Sequence, residues 1–530
     1  MLIAAACLSS CTQVAGWFGT DDDSTQAFGI DSSFMQKDES ITEANAYSDL
    51  FLDSAAVDSF IVNQHLTDTA ANKIRNFYRV RNYQFAWFNT QGLTEQGRGL
   101  WNLYSRSTDT ANKKMQTHMD SLVQNDSLSI AKGDSTFMQT ELNLTTALIN
   151  YTQTHDEGPI TSANMYYVVP RKKMAPLELA DSILHGNKDS LLYSNNKGSD
   201  ALKQQLAIYV NAAKDSSWKQ VPTENIQKGS KSATVSLLKQ RLRATNDYTS
   251  ADTSNVFNDS LTAAIKNFQL RHGLAATGKV NDSLIAELNV PAEKRVEQIL
   301  VNMNRMLWMP PQTDSNRIVV NIPALMLYAY EDTGVVFQMP VIVGDEGTST
   351  IVFSGNINKI VFNPSWTVPE SIVRNEILPK MKANPNYLKE HNMVITNQND
   401  SVPDIKQLPG KNNALGQVKF MFPNSYDIYL HDTPDKSAFE KTDRTISHGC
   451  IRVANADKLA EYLLRNQDGW TKEKIAQMTK ETKEQAVELN NTEPVYIDYF
   501  TVWVDPNGKV NFRPDVYGHD QKMINAMFTS

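Results

Sequence analysis

The spacing of apolar residues changes character once along this chain, and that change sets what it can fold into. Up to about residue 290 the apolar positions recur at helical intervals. Val235, Leu238 and Leu242 fall at i, i+3, i+7, and Leu261, Ala264, Ile265 and Phe268 at i, i+3, i+4, i+7. After Trp308-Met309-Pro310 the texture turns to strands. Arg317 to Ile322, Leu325 to Tyr330 and Val335 to Val343 are rich in β-branched and aromatic residues, with Asp332-Thr333-Gly334 as a turn. A chain of 530 residues exceeds what one core usually supports, so helical and mainly β parts are expected as separate domains.

Punctuation divides it further. Residues 1–11 read as the end of a leader and 12–60, polar and acidic, as a tether. Residues 61–229 form a mostly helical unit with aromatic clusters such as Phe77-Tyr78, and 230–292 a small three-helix unit. There Asn258 and Asn281 are the expected N-caps, and Gly273 and Gly278 bound the loop between the last two helices. Residues 316–525 make the β-rich domain, closing on a hairpin of Tyr496 to Val504 and Lys509 to Phe512 across Asp505-Pro506-Asn507-Gly508. A proline-bounded helical segment at 368–410 interrupts it, the pattern of a lid beside a sheet.

Charge and cysteine count narrow the function classes. With 51 Lys and Arg against 59 Asp and Glu the net charge is −8, which gives no electrostatic case for nucleic acid. Of 3 cysteines, two precede residue 12, so neither a disulfide framework nor a Cys-rich zinc site fits the folded part. Leu8-Ser9-Ser10-Cys11 resembles the lipobox of bacterial lipoproteins. That implies export, lipid attachment at Cys11, and a periplasmic protein held to a cell-envelope membrane through its lipid alone.

The chemistry concentrates in Ile428-Tyr429-Leu430-His431-Asp432-Thr433-Pro434 and Ser447-His448-Gly449-Cys450-Ile451-Arg452-Val453. Acyl transfer without a cofactor needs a nucleophile, a base, a group that orients the base, and oxyanion donors. Cys450 supplies a thiol that an adjacent imidazole would convert to an ion pair near neutral pH, and His431 stands at the end of a predicted strand. Amides around Gly449 and Cys450 are the natural oxyanion donors. A metal site from His431, His448 and Cys450 has too few cysteines and an unusual spacing.

Ser-His-Gly-Cys-x-Arg with a preceding histidine resembles the YkuD-type L,D-transpeptidase catalytic domain. The resemblance extends to Asn363-Pro364-Ser365-Trp366-Thr367-Val368-Pro369, to Asn413-Ala414-Leu415-Gly416 and to Lys419-Phe420-Met421-Phe422-Pro423-Asn424. Phe268-Gln269-Leu270-Arg271-His272-Gly273-Leu274 with Thr277-Gly278 looks like the peptidoglycan-binding domain one family. The layout is similar to large Gram-negative members with a scaffold and a lid.

The resemblance implies Cys450 as nucleophile, His431 as base and the Asp432 carbonyl as its orienting group, with Gly449 in the oxyanion site. It implies substrate contacts from Ser447, His448, Arg452 and Trp366, with Arg452 holding either the motif loop or a substrate carboxylate. The expected substrates are peptidoglycan stem peptides, a tetrapeptide donor and a diamino-acid acceptor, joined 3→3 with no metal or organic cofactor. Other cell-wall enzymes are candidate partners. The same thioester released to water would make an L,D-carboxypeptidase; an inert domain would leave a wall-binding lipoprotein.

Overall fold

The computed structural model describes residues 36–107, 113–125, 128–154, 159–186, 199–215, 218–310, 315–332, 334–397 and 402–529. Cys11, the leader and residues 12–35 of the expected tether lie outside them.

The described residues build four apolar cores. The first belongs to a helical body in which Ser54–Asn63, Asp68–Arg79, Glu95–Ser107, Ser135–Thr154 and Ser199–Lys214 pack around Trp87, Phe77 and Tyr78. It begins earlier than the sequence suggests. Tyr47, Leu50 and Leu52 are buried in this core and Ile41 is equally enclosed, so the tether expected to run to residue 60 is already packed from about Ile41. These apolar residues follow no regular period because they sit in irregular backbone, which is why the segment reads as polar linker.

The small unit forms as its pattern predicts. Val235, Leu238, Leu242, Leu261, Ala264, Ile265 and Phe268 all enter one core. Asn258 accepts from the Leu261 amide and Asn281 from the Leu284 amide, caps of about 1 kcal/mol each, and Gly273 and Gly278 take φ of 71° and 69°. Val221 and Ile226 also belong to this core, so the unit starts before residue 230. Of its motif residues Phe268, Gln269, Arg271 and His272 face inward, while Leu270 is exposed. Arg271 pairs with Asp247 at 2.6 Å and donates to the Val510 carbonyl at 2.7 Å, while His272 stacks between Phe268 and Phe512.

The third core fills a closed sheet whose strands, labelled in chain order, are β1 Arg317–Asn321, β2 Met326–Glu331, β3 Gly334–Gly344, β4 Phe353–Phe362, β5 Val418–Met421, β6 Leu430–His431, β7 Thr445–Ser447, β8 Ile451–Val453 and β9 Gln485–Asp498. Their order is β7-β3-β8-β6-β5-β4-β9-β1-β2, and β2 pairs back to β3. Closure leaves β7 alone at an edge, so the motif it leads into is held by loops.

Two expectations need correction here. The insertion is not purely helical, since Trp366–Thr367, Met393–Asn397 and Asp404–Gln407 form a three-stranded sheet over a fourth core of Val368, Val373, Ile377, Met393, Val402 and Ile405. The closing hairpin is shorter than expected: Tyr496 to Asp498 belong to β9, and Val502–Val504 pairs with Val510–Phe512. That hairpin and the helix His519–Met527 pack into the helical body together with the helix Ala292–Leu307.

Candidate active site

Strand pairing brings the two expected reactive residues to one face. β6 runs parallel to β8 with Leu430 opposite Ile451 and His431 opposite Arg452, and on the other side Lys419 of β5 pairs with His431. Side chains alternate along a strand, so Cys450, two residues before Arg452, falls on the face of His431, Lys419 and Tyr429. His431 is buried and Cys450 half-buried.

The imidazole has one orientation. Its Nδ1 lies 2.5 Å from the carbonyl of Asp432, so Nδ1 carries the proton and Nε2 is the acceptor. Asp432 is fixed in turn: its amide donates to the Val418 carbonyl, and its carboxylate takes the Gln417 amide at 2.9 Å and Lys436 Nζ at 2.5 Å. Gly416 adopts φ 62°, and any Cβ there would collide with this carboxylate, which accounts for the glycine closing Asn413-Ala414-Leu415-Gly416.

The electrostatics correct the expected ion pair. Burial, reinforced by Arg452 and Lys419 on either side, pushes the His431 imidazole down to about 3, against the opposing hydrogen bond to Asp432. Burial also pushes the Cys450 thiol up, opposed by Tyr429 and Lys419. Both effects favour a neutral thiol beside a neutral imidazole. The thiol points to the Asp427 carbonyl, 3.5 Å away.

The motif loop is self-contained. Ser447 Oγ donates to the Cys450 carbonyl at 2.6 Å and accepts the Gly449 amide at 3.2 Å, and Ser447 is buried. Its hydroxyl therefore shapes the loop and is not placed to meet substrate, contrary to expectation. The Gly449 amide is likewise spent on Ser447 and is not a free oxyanion donor. Gly449 needs its φ of 104°, while the Thr350 hydroxyl donates to its carbonyl at 2.8 Å. His448 is half-exposed, its Nε2 3.0 Å from Glu376 in the insertion. Arg452 is half-buried, opposite His431.

Lys419, Tyr429, Thr350 and Glu376 were given no role from the sequence. The Tyr429 phenol neighbours the Cys450 sulfur and Trp366, which brings Trp366 to the site; burial, with the sulfur's charge, holds that phenol well above the ordinary tyrosine range. Lys419 Nζ sits 3.8 Å from the centre of the Tyr429 ring, and burial draws its ammonium below the usual lysine range. The alternation of β5 marks Lys419 as facing Phe420's opposite side, but nothing in the sequence says that this side also holds His431 and Cys450.

Residues 315–497 match the family described as "L,D-transpeptidase catalytic domain", 72–206 the "Scaffold domain" and 231–288 the "Putative peptidoglycan binding domain". A protein of Haemophilus influenzae named "Putative L,D-transpeptidase" is 33% identical over 253 residues, 44% of this chain and 51% of that protein, so the match spans about half the relative's length. Solved L,D-transpeptidases from Stackebrandtia nassauensis and Mycobacterium smegmatis are 16% and 14% identical, with TM-scores of 0.23 and 0.19. They cover 52% and 35% of this chain and 98% and 58% of their own, likenesses too slight to support an argument.

Proposed function

The chain belongs to the YkuD-type L,D-transpeptidases that carry scaffold and peptidoglycan-binding domains, and from that premise we propose that it joins peptidoglycan stem peptides through a thioester on Cys450. The observation that carries the reading is the tie between His431 Nδ1 and the Asp432 carbonyl, which leaves Nε2 as a base on the face shared with Cys450.

The reaction has two halves. As Cys450 Sγ attacks the carbonyl of the third stem residue, its proton passes to His431 Nε2. The tetrahedral oxyanion collapses, the bond to the terminal D-alanine breaks, and that amine leaves with the proton from Nε2. The side-chain amine of a second stem's diamino acid then attacks the thioester, gives a proton to Nε2, and forms the 3→3 amide. The thiolate leaves and takes the proton back. Tyr429 hydroxyl and the Cys450 amide are the donors for the oxyanion, and Arg452 and Lys419 present positive charge to the carboxylates of the stem. The insertion acts as a lid over this face, attached to the motif through His448. Attachment of a lipid at Cys11 would keep the enzyme at an envelope membrane.

The test is mass spectrometry of purified muropeptides after incubation with wild type and Cys450→Ala. Cross-linked 3→3 dimers from wild type alone are the expected result. Tripeptides without dimers would make the protein a carboxypeptidase, and dimers formed by Cys450→Ala would remove the thioester.

A further inference from the structure

The helical body grips the catalytic domain at one buried carboxylate. Asp120, on the helix Lys113–Gln124, is only 7% exposed. Its Oδ1 accepts from Trp101 Nε1 at 3.0 Å and from the Tyr426 hydroxyl at 3.2 Å, and its Oδ2 from Ser425 Oγ at 2.6 Å. Gln124 adds a bond to the Ser425 carbonyl at 3.4 Å. Burial and the Asp120 charge hold the Tyr426 phenol well above its ordinary range, so it stays a donor.

The turn so gripped leads directly to the thiol. Asn424 braces it from within, accepting the Tyr426 and Ile428 amides at 3.0 and 3.1 Å and donating to the Phe422 and Ile428 carbonyls. Asp427 follows with φ 54°, a left-handed backbone that a non-glycine residue keeps only when its surroundings fix it. Its carbonyl is the one that receives the Cys450 thiol. Tyr429 and His431 come next on the same segment.

We propose that Asp120 is a positioning residue for Cys450: by fixing Ser425 and Tyr426 it fixes the Asp427 carbonyl that holds the thiol. The proposal rests on Cys450 being the nucleophile. It makes the helical body part of the active enzyme, since docking at Asp120 sets where the sulfur waits before substrate arrives. A carbonyl accepts only from the protonated thiol, so it retains the proton; loosening the turn releases the sulfur both from this bond and from its place. The other groups facing Cys450 are Tyr429, His431 and the Asp427 carboxylate from its own approach, Lys419 from β5, Arg452 from β8, and His448 with Glu376 on the lid side. None of them is altered in the variants below.

The test uses full-length protein and two readouts, transfer between muropeptides and the pH profile of Cys450 alkylation by iodoacetamide. Asp120→Asn and, as a variant without a change of charge, Tyr426→Phe are compared with wild type after circular dichroism shows native content. Both should lower kcat/KM by about tenfold or more. Both should also move the alkylation midpoint to lower pH by about half a unit. A staple between domains would lower the melting temperature and leave the profile where it was. That outcome, or a shift to higher pH, overturns the proposal. Should Asp120→Asn not fold, Tyr426→Phe with Ser425→Ala decides the matter by the same criteria. Cys450→Ala separates this from the underlying reading: if it still transfers, both fall, whereas an inactive Cys450→Ala beside unchanged Asp120 and Tyr426 variants overturns the positioning role alone.

Discussion

His448 Nε2 lies 3.0 Å from Glu376 Oε1, which joins the residue before Gly449 to the helical run of the insertion. Both side chains are partly exposed, so the contact is worth on the order of 1 kcal/mol or less and can break as substrate enters. It fastens the insertion to the motif loop more than it stabilises the fold.

Glu376→Gln should therefore loosen the insertion. Limited proteolysis is expected to cut more quickly within 368–410, and KM should rise by about threefold with kcat nearly unchanged. A variant with wild-type proteolysis and KM would show that the contact has no part in closure.

Removing the base should be far more costly. His431→Gln takes away the acceptor at Nε2, and transfer should fall by roughly 10²- to 10⁴-fold. Steady-state kinetics at neutral pH checks this; a loss of less than tenfold would assign the base elsewhere.

Acid stability gives a second view of the same residue. The folded imidazole is held near about 3 against an ordinary value of 6.5. Between those limits the unfolded chain takes up a proton that the folded one refuses. Its contribution to stability is thus full above pH 6.5 and declines as pH falls toward 3, by up to about 1.4 kcal/mol per unit. His272, buried and also pushed down, adds a loss of the same sign. The melting temperature of wild type should fall more steeply between pH 6.5 and 4 than that of His431→Gln. Parallel curves would contradict a neutral buried imidazole.

Gly449→Ala separates backbone conformation from space. A Cβ there would come no closer than 3.6 Å to any neighbouring heavy atom, so crowding is slight. Its φ of 104° is nevertheless one that side-chain-bearing residues rarely adopt, and forcing it costs about 1–3 kcal/mol. The expected outcome is at least about a tenfold loss of kcat/KM with little change in melting temperature, because the strain is relieved by a shift of the loop that displaces Cys450. Full activity would mean that the loop tolerates another path.

Cys11→Ala tests the lipid anchor. The variant should move from the membrane fraction to the soluble envelope fraction, with activity of the purified protein unchanged. Identical fractionation of both proteins would leave Cys11 without that role.

The sequence was most legible where one local signal has one structural meaning. Asn258, Asn281, Gly273 and Gly278 each act on backbone within a few residues, and each took the place its type demands. Cys450 and His431 were found because their spacing carries a motif, and β6 and β8 bring them to one face. What was missed depends on residues distant in the chain. Ser447 and Gly449 had the right location but the wrong partners, since only the folded loop shows that they consume each other. Lys419 looks like an ordinary strand lysine until β5 is set beside β6. Asp120 and Ser425 have no local signal that relates them.

The chain leaves the helical body after Trp308 and rejoins it at Val502, with the catalytic sheet between the two points. If the sheet melts while that body stays folded, its strands become a closed loop whose two ends remain fastened side by side. Such a loop has less freedom to gain than a chain with one end loose. The helical body thus stabilises the sheet by limiting its disordered state, an effect no contact within the barrel reveals. Severing the backbone near residue 500 would forfeit that restraint while leaving every barrel strand intact.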